Sequence, residues 1–250
     1  MPLVRLELAS PCVTLTLDDP ERRNALSTAM FDALFAGVAA VGKHETSAVL
    51  RIRGAGSAFC AGFDLGACVQ DRTLLATFIR RLSRLNRAIR RLRQVVVVEV
   101  QGAALAGGCA MLSACDFVCV APDATLGYPV HRIGVSPAVS LPTLRIATGG
   151  AARALALGGD LIDGRTALRI GLATHCAADA ASLPILVDDL VGRLGSKGPV
   201  ALAATKRWLN ELDGSDRDDL FERTAEGSAL LCGGDECVAM LAQFWNNRKR

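Results

Sequence analysis

The stretch Val95-Val-Val-Val-Glu-Val-Gln-Gly-Ala-Ala-Leu-Ala-Gly-Gly-Cys-Ala-Met-Leu-Ser-Ala-Cys-Asp116 decides the fold. Its first six residues are an apolar, β-branched run of strand length, so Val95 to Val100 reads as a buried strand. Gln101 to Gly108 is a loop of small residues that opens a helix, and Asp116 to Ala121 is a further strand. Glycines in such a loop let the backbone approach a ligand closely. The helix start adds unpaired N–H groups at the positive end of its dipole. Glu99, Gln101 and Asp116 interrupt the apolar run, which a lipid-facing helix would not tolerate cheaply.

Upstream, Val13, Leu15 and Leu17 alternate with threonines, and Ala48 to Arg53 has the same extended character. The helix between them is capped by Ser27, carries Phe31, Leu34, Phe35, Val38 and Val41 at helical spacing, and can end at Gly42. Strand, helix, strand is the unit of a sheet with parallel pairs. A second glycine-bearing loop, Phe59-Cys-Ala-Gly-Phe-Asp-Leu65, follows, and then an arginine-rich helix from about Leu74 to Leu92. Its stripe Ile79, Leu82, Leu85, Ile89 and Leu92 packs inward. Beyond about Leu141 strand signals stop, and helical patterns cover 151–157, 164–171, 199–212, 220–231 and 236–245.

The chain has 250 residues, 51% of them apolar and 21% charged, with net charge +3. These values exclude a disordered tail and a membrane bundle, and require no polyanion partner. The first residues lack an export signal, so a cytoplasmic location is expected. Nine cysteines at spacings that fit neither a zinc site nor a redox pair read as reduced core residues. Gly54-Ala-Gly56 lacks the second half of a dinucleotide fingerprint. Between Arg72 and Val98 lie eight arginines and no acid, with Arg80, Arg84, Arg87 and Arg91 on one helix face. That face reads as a solvated or subunit-facing surface, with phosphate binding as the alternative.

Together and in this order, the two loops resemble those of the crotonase superfamily, the enoyl-CoA hydratase and isomerase family. Arg23-Asn-Ala-Leu-Ser27 looks like its N-A-L segment, and Phe59 to Leu65 like its A-G-x-D-L loop. Val95 to Asp116 looks like its strand, glycine-run loop and C-D pair, with Ala106 where the first of three glycines is usual. Leu126-Gly-Tyr-Pro129, Ile133 to Pro137, Leu157 to Ile162 with Ala167 to Leu172, and Gly198 to Leu202 with Lys206 resemble the later blocks.

The resemblance implies an α/β spiral of repeated βαβ units over 1–195, with a C-terminal helical trimerisation region over 196–250. It implies a trimer or hexamer, and an acyl-CoA ligand whose coenzyme A is the only small molecule besides the acyl group. No metal, nucleic acid or membrane partner is expected. The thioester oxygen would lie between the N–H groups of Phe63 and Gly107. The substrate-binding set carried over by position is Arg22, Arg23, Ala25, Ala61, Asp64, Leu65, Gly108, Ala110, Val130 and Ala138. Arg22 and Arg23 would face the coenzyme's phosphates, and Asp64 reads as a loop or cap residue rather than a base.

A hydratase of this family resembles a paired-carboxylate machine, and here Ala110 and Val130 occupy the two glutamate positions. Ala138 occupies a third familiar acid position. Aliphatic side chains cannot move protons, so ordinary hydration is not expected to be efficient. Decarboxylation or substrate-assisted isomerisation fits better. The alternatives are an acyl-CoA-binding protein without turnover and a conventional hydratase with a displaced acid. Tyr128 and His131 are the substitute catalytic candidates nearest Val130. On an extended segment, Tyr128 would share the face of Val130 and His131 would point away.

Overall fold

A computed structural model describes residues 2–248. Strand β1 (Val4–Glu7) pairs antiparallel with β2 (Cys12–Leu17), whose buried residues Val13, Leu15 and Leu17 face the core. Ser27 Oγ accepts from Met30 N–H at 3.1 Å and starts α1 (Thr28–Lys43), which ends one residue after the expected glycine. Three successive units then each contribute a strand to two different sheets. The first gives β3 (Val49–Gly54) and β4 (Ala58–Cys60), followed by α2 (Leu65–Gln70) and α3 (Thr73–Arg90). The second gives β5 (Val95–Val100) and β6 (Ala103–Leu105), followed by α4 (Gly107–Leu112). The third gives β7 (Phe117–Val120) and β8 (Leu126–Gly127).

The remainder is helical: α5 (Leu141–Thr148), α6 (Ala151–Gly158), α7 (Gly164–Arg169), α8 (Leu183–Gly195), α9 (Pro199–Asp213), α10 (Asp218–Leu231) and α11 (Asp235–Arg248). Two-residue strands β9 (Leu161–Ile162) and β10 (His175–Cys176) lie among these helices, contrary to the expectation that strands stop near Leu141. A two-residue strand carries no readable period, and both exist because a sheet edge is there to pair with. One sheet has the order β1-β2-β3-β5-β7-β10, the other β4-β6-β8-β9. Apart from β1–β2 and β8–β9, all pairs are parallel, so β3, β5 and β7 stack in one sheet while β4, β6 and β8 stack in the other. This winding is the crotonase spiral expected from the sequence. It brings the ends of β4, β6 and β8 together.

Burial follows this winding. All six residues of β5 are buried, including Glu99, which is held by Arg51 Nε at 2.8 Å. Asp116 accepts from Val96 N–H at 2.8 Å and from Lys206 Nζ at 2.6 Å, and Lys206 also donates to Gln94 O at 2.9 Å. That buried cation ties α9 to the central strands. On the arginine face of α3, Arg80, Arg87 and Arg91 are ion-paired to α10, while Arg84 is exposed with no salt bridge among the described residues. Arg80 meets Glu226 at 2.7 Å, Arg87 meets Asp218 at 2.9 Å and Glu222 at 3.3 Å, and Arg91 meets Asp218 at 2.7 Å. Asp218, Glu222 and Glu226, spaced four apart on α10, thus meet Arg80, Arg87 and Arg91 and cover that part of the face from within the chain.

Candidate active site

The chain leaves β6 through Ala106, whose N–H donates to Gly127 O at 2.8 Å and whose backbone is held at φ 50° and ψ −111°. That sharp turn starts α4 at Gly107. The first intrahelical bond runs from Ala110 N–H to Ala106 O at 2.9 Å, so the N–H of Gly107 has no carbonyl to meet. The other loop leaves β4 through Gly62, at φ 93°. Leu26 N–H donates to Gly62 O at 2.8 Å and Asp64 N–H to Leu26 O at 3.2 Å. This isolated parallel bridge spends the groups on either side of Phe63 and leaves its own N–H unspent. A Cβ at Gly62 would stand 3.2 Å from Ala106 Cβ and 3.7 Å from Gly107 N, so glycine lets the two loops abut. Among the described residues, neither the Phe63 nor the Gly107 N–H donates to a protein acceptor.

Both residues line one cavity of about 280 Å³. Leu75, Ile79 and Leu82 of α3 form part of its wall, with Leu105, Val139 and Phe244. No described lining residue is Asp, Glu or His. The candidates Arg23, Ala61, Leu65, Ala110, Tyr128 and Val130 also line it; Arg22, Ala25, Asp64, Gly108, His131 and Ala138 do not. Asp64 Oδ1 accepts from Ala67 N–H at 3.1 Å and caps α2. Gly108 packs on β4, where an added Cβ would stand 2.4 Å from Cys60 O.

The alternation argument for residues 128–131 fails, because Pro129–Ile133 is a 3₁₀ turn rather than extended chain. Pro129 favours such a turn. His131 is exposed, whereas Tyr128 is 1% exposed and sits beside Ala106 through the pairing of Leu105 with Gly127. Burial holds the Tyr128 phenol protonated, well above its ordinary range, and pushes the neighbouring Cys109 thiol up to about 12. The lining side chains therefore offer hydrogen bonds, but no group poised to exchange protons near neutrality.

Two residues outside the expected set also shape the site. Asn24 is fully buried, and its Nδ2 contacts the carbonyls of Ala55, Ala58 and Phe59 at 2.9 to 3.1 Å while its Oδ1 accepts from Asp19 N–H. It pins the segment carrying Arg23 and Leu26 against β4. The asparagine was visible in the sequence, but its long-range partners were not. Ser140, 1% exposed, lines the cavity from the turn before α5, and no local pattern marks it. The arrangement presents two unspent backbone donors to one largely apolar cavity.

Residues 8–219 match the family model for enoyl-CoA hydratase/isomerase. The chain is 30% identical to a crotonyl-CoA hydratase of Syntrophomonas wolfei over 98% of its own length and 95% of that protein. It is 28% identical to a mitochondrial Delta(3,5)-Delta(2,4)-dienoyl-CoA isomerase of Dictyostelium discoideum, covering 79% of this chain and 72% of that one. The crystal structure of an enoyl-CoA hydratase from Mycobacterium avium superposes with a TM-score of 0.86 at 32% identity, covering 98% and 96% of the two chains. With two free amides at the meeting of β4 and β6 and a family match running through both loops, the chain belongs to the enoyl-CoA hydratase/isomerase family of the crotonase superfamily.

Proposed function

We propose that this protein binds an acyl-CoA thioester with its carbonyl oxygen between the N–H groups of Phe63 and Gly107, and stabilises the enolate formed there. Enolate formation moves negative charge onto that oxygen. A fixed donor in a dry site is worth about 3–4 kcal/mol to such a transition state, and backbone donors need no particular side chain. Arg23, exposed at the cavity, is the phosphate-facing residue of the coenzyme in this reading. The reading requires no cofactor beyond the coenzyme A of the substrate. Assembly through 196–250 is part of it, supported by the exposed apolar residues Val200, Trp208, Leu209 and Leu212 along α9.

The observation that carries the reaction type is a cavity with two unspent amides and no carboxylate or imidazole among its described lining residues. Hydration needs a group to deprotonate water and one to protonate carbon. Decarboxylation needs neither at the first step: the C–CO₂ bond breaks, carbon dioxide leaves, and the electron pair flows into the thioester as the enolate. Isomerisation assisted by a substrate group also fits. Loss of conjugated-thioester absorbance from crotonyl-CoA, followed beside calorimetric binding of hexanoyl-CoA, tests the proposal. Binding with little hydration is expected, and hydration at the rate of a conventional hydratase would overturn the reaction type.

A further inference from the structure

A second cavity, of about 60 Å³, shares one wall residue with the first. That residue is Leu75, which is 1% exposed and is the only described residue lining both. The same three helices pass from one cavity to the other. Leu65 of α2 lines the first and Val69, a turn later, the second; Phe244 of α11 lines the first and Leu241, a turn earlier, the second. Side chains a turn apart on a helix are neighbours at about 5–6 Å, so the partition is about one side chain thick, and on α3 that side chain is Leu75. Apart from the exposed Arg72, the second cavity is lined by aliphatic and thiol side chains.

The amides lie towards the other end of α3. Asn86 Nδ2 donates to Ala110 O at 3.2 Å, which holds α4, and with it the Gly107 amide, against the later half of α3. Leu75 stands about 16 Å before Asn86 along the helix axis. A chain leaving the amides along the apolar stripe of Leu82, Ile79 and Leu75 therefore runs towards Leu75. Resting on the acyl-thioester reading above, we infer that Leu75 sets the longest acyl chain this site accepts. The chain end stops against its side chain, and the second cavity stays out of reach. Truncation to alanine removes Cγ and both Cδ atoms from the partition and joins the two spaces. Each further methylene buried there is worth about fourfold in affinity.

The test is calorimetric binding of saturated straight-chain acyl-CoAs, at every length from butanoyl to dodecanoyl, to the full protein. In wild type, affinity is expected to rise with chain length to a maximum and then fall. In Leu75→Ala the maximum should move to a chain about two carbons longer, and that longer ligand should bind about tenfold tighter than it does to wild type. Filling the second cavity from α11, in Leu75→Ala/Val238→Phe, should take that gain back. Circular dichroism checks that each variant folds. Should Leu75→Ala not fold, the smaller truncation Leu75→Val is expected to improve binding of the first chain beyond the wild-type maximum by about fourfold. An unchanged length profile in a folded Leu75 variant would overturn the inference and leave the thioester reading standing. So would wild-type affinity that climbs through dodecanoyl-CoA, or a gain that Val238→Phe leaves untouched. Binding of no acyl-CoA at all would overturn both.

Discussion

Replacing Ala106 by glycine should make the protein more stable, although it removes a side chain. Ala106 holds φ 50° and ψ −111°, a conformation in which Cβ crowds the backbone. Non-glycine residues in such regions cost of order 1–3 kcal/mol, and this ψ lies outside even the left-handed helical well, which puts Ala106 near the upper end. Against that release, glycine adds freedom to the unfolded chain worth about 0.4–1 kcal/mol. The half-buried methyl gives up part of the ~0.8 kcal/mol of one buried carbon. The net expectation is a gain of about 1 kcal/mol, or roughly 2–4 °C in Tm for a chain of this size. Thermal unfolding followed by circular dichroism reads it directly. Ala104→Gly is the control: Ala104 lies in ordinary β6 backbone, fully buried, and should lose at least ~0.5–1 kcal/mol. If Ala106→Gly lowers Tm as Ala104→Gly does, the claim that strain holds the turn into α4 is wrong.

Restoring acids should restore hydration. Ala110→Glu with Val130→Glu is expected to raise crotonyl-CoA hydration by about 10²–10⁴, the usual return from general acid–base catalysis, and no gain would mean the cavity no longer presents those positions to substrate. Acid should weaken the seam between α3 and α10. A hydrogen bond from Arg91 and the charge of Arg87 hold Asp218 below its ordinary range, and a hydrogen bond from Arg80 does the same for Glu226. Their stabilisation is therefore present above the normal carboxylate pKa and is lost as pH falls through the lowered one. The Tm difference between wild type and Asp218→Asn/Glu226→Gln, present at pH 7, should vanish near pH 3 or below. A difference that persists there would contradict this account.

Much of the spiral was legible because its strands are fully buried. Val95 to Val100 has the apolar content that a central parallel strand needs, and the observed strand has those bounds. The capped helix after Ser27 and the arginine helix also matched their periodic patterns. The second sheet was not legible, since β4, β6 and β8 are three residues or fewer and exist only because the winding sets them side by side. Helix α8 went unread although Leu183, Val187, Leu190 and Leu194 keep helical spacing and Pro184 suits its first turn. The signal was there, interrupted by the Asp188-Asp189 pair and by Gly192. Helix α5 was missed because Pro142 at its start reads equally as a turn.

The site divides in the same way. The two amide-bearing loops were visible as glycines before helices, and the family resemblance, carried over by position, singled out Phe63 and Gly107 within them. That Asp64 is spent on a cap follows from its own helix, and the sequence favoured that role. The orientation of His131 was argued by treating residues 128–131 as extended, whereas Pro129–Ile133 folds as a 3₁₀ turn. Ser140 and the partners of Asn24 lay beyond reach, because each depends on contacts between segments distant in the chain.

The central claim is that the two amides grip a thioester oxygen. It is tested most directly by comparing hexanoyl-CoA with S-hexyl-CoA, the thioether in which a methylene replaces the carbonyl. Calorimetry should find the thioester bound at least about tenfold tighter, the worth of roughly 1.4 kcal/mol for two ground-state hydrogen bonds lost together. Equal affinity for the two would mean that the Phe63 and Gly107 amides do not hold the oxygen.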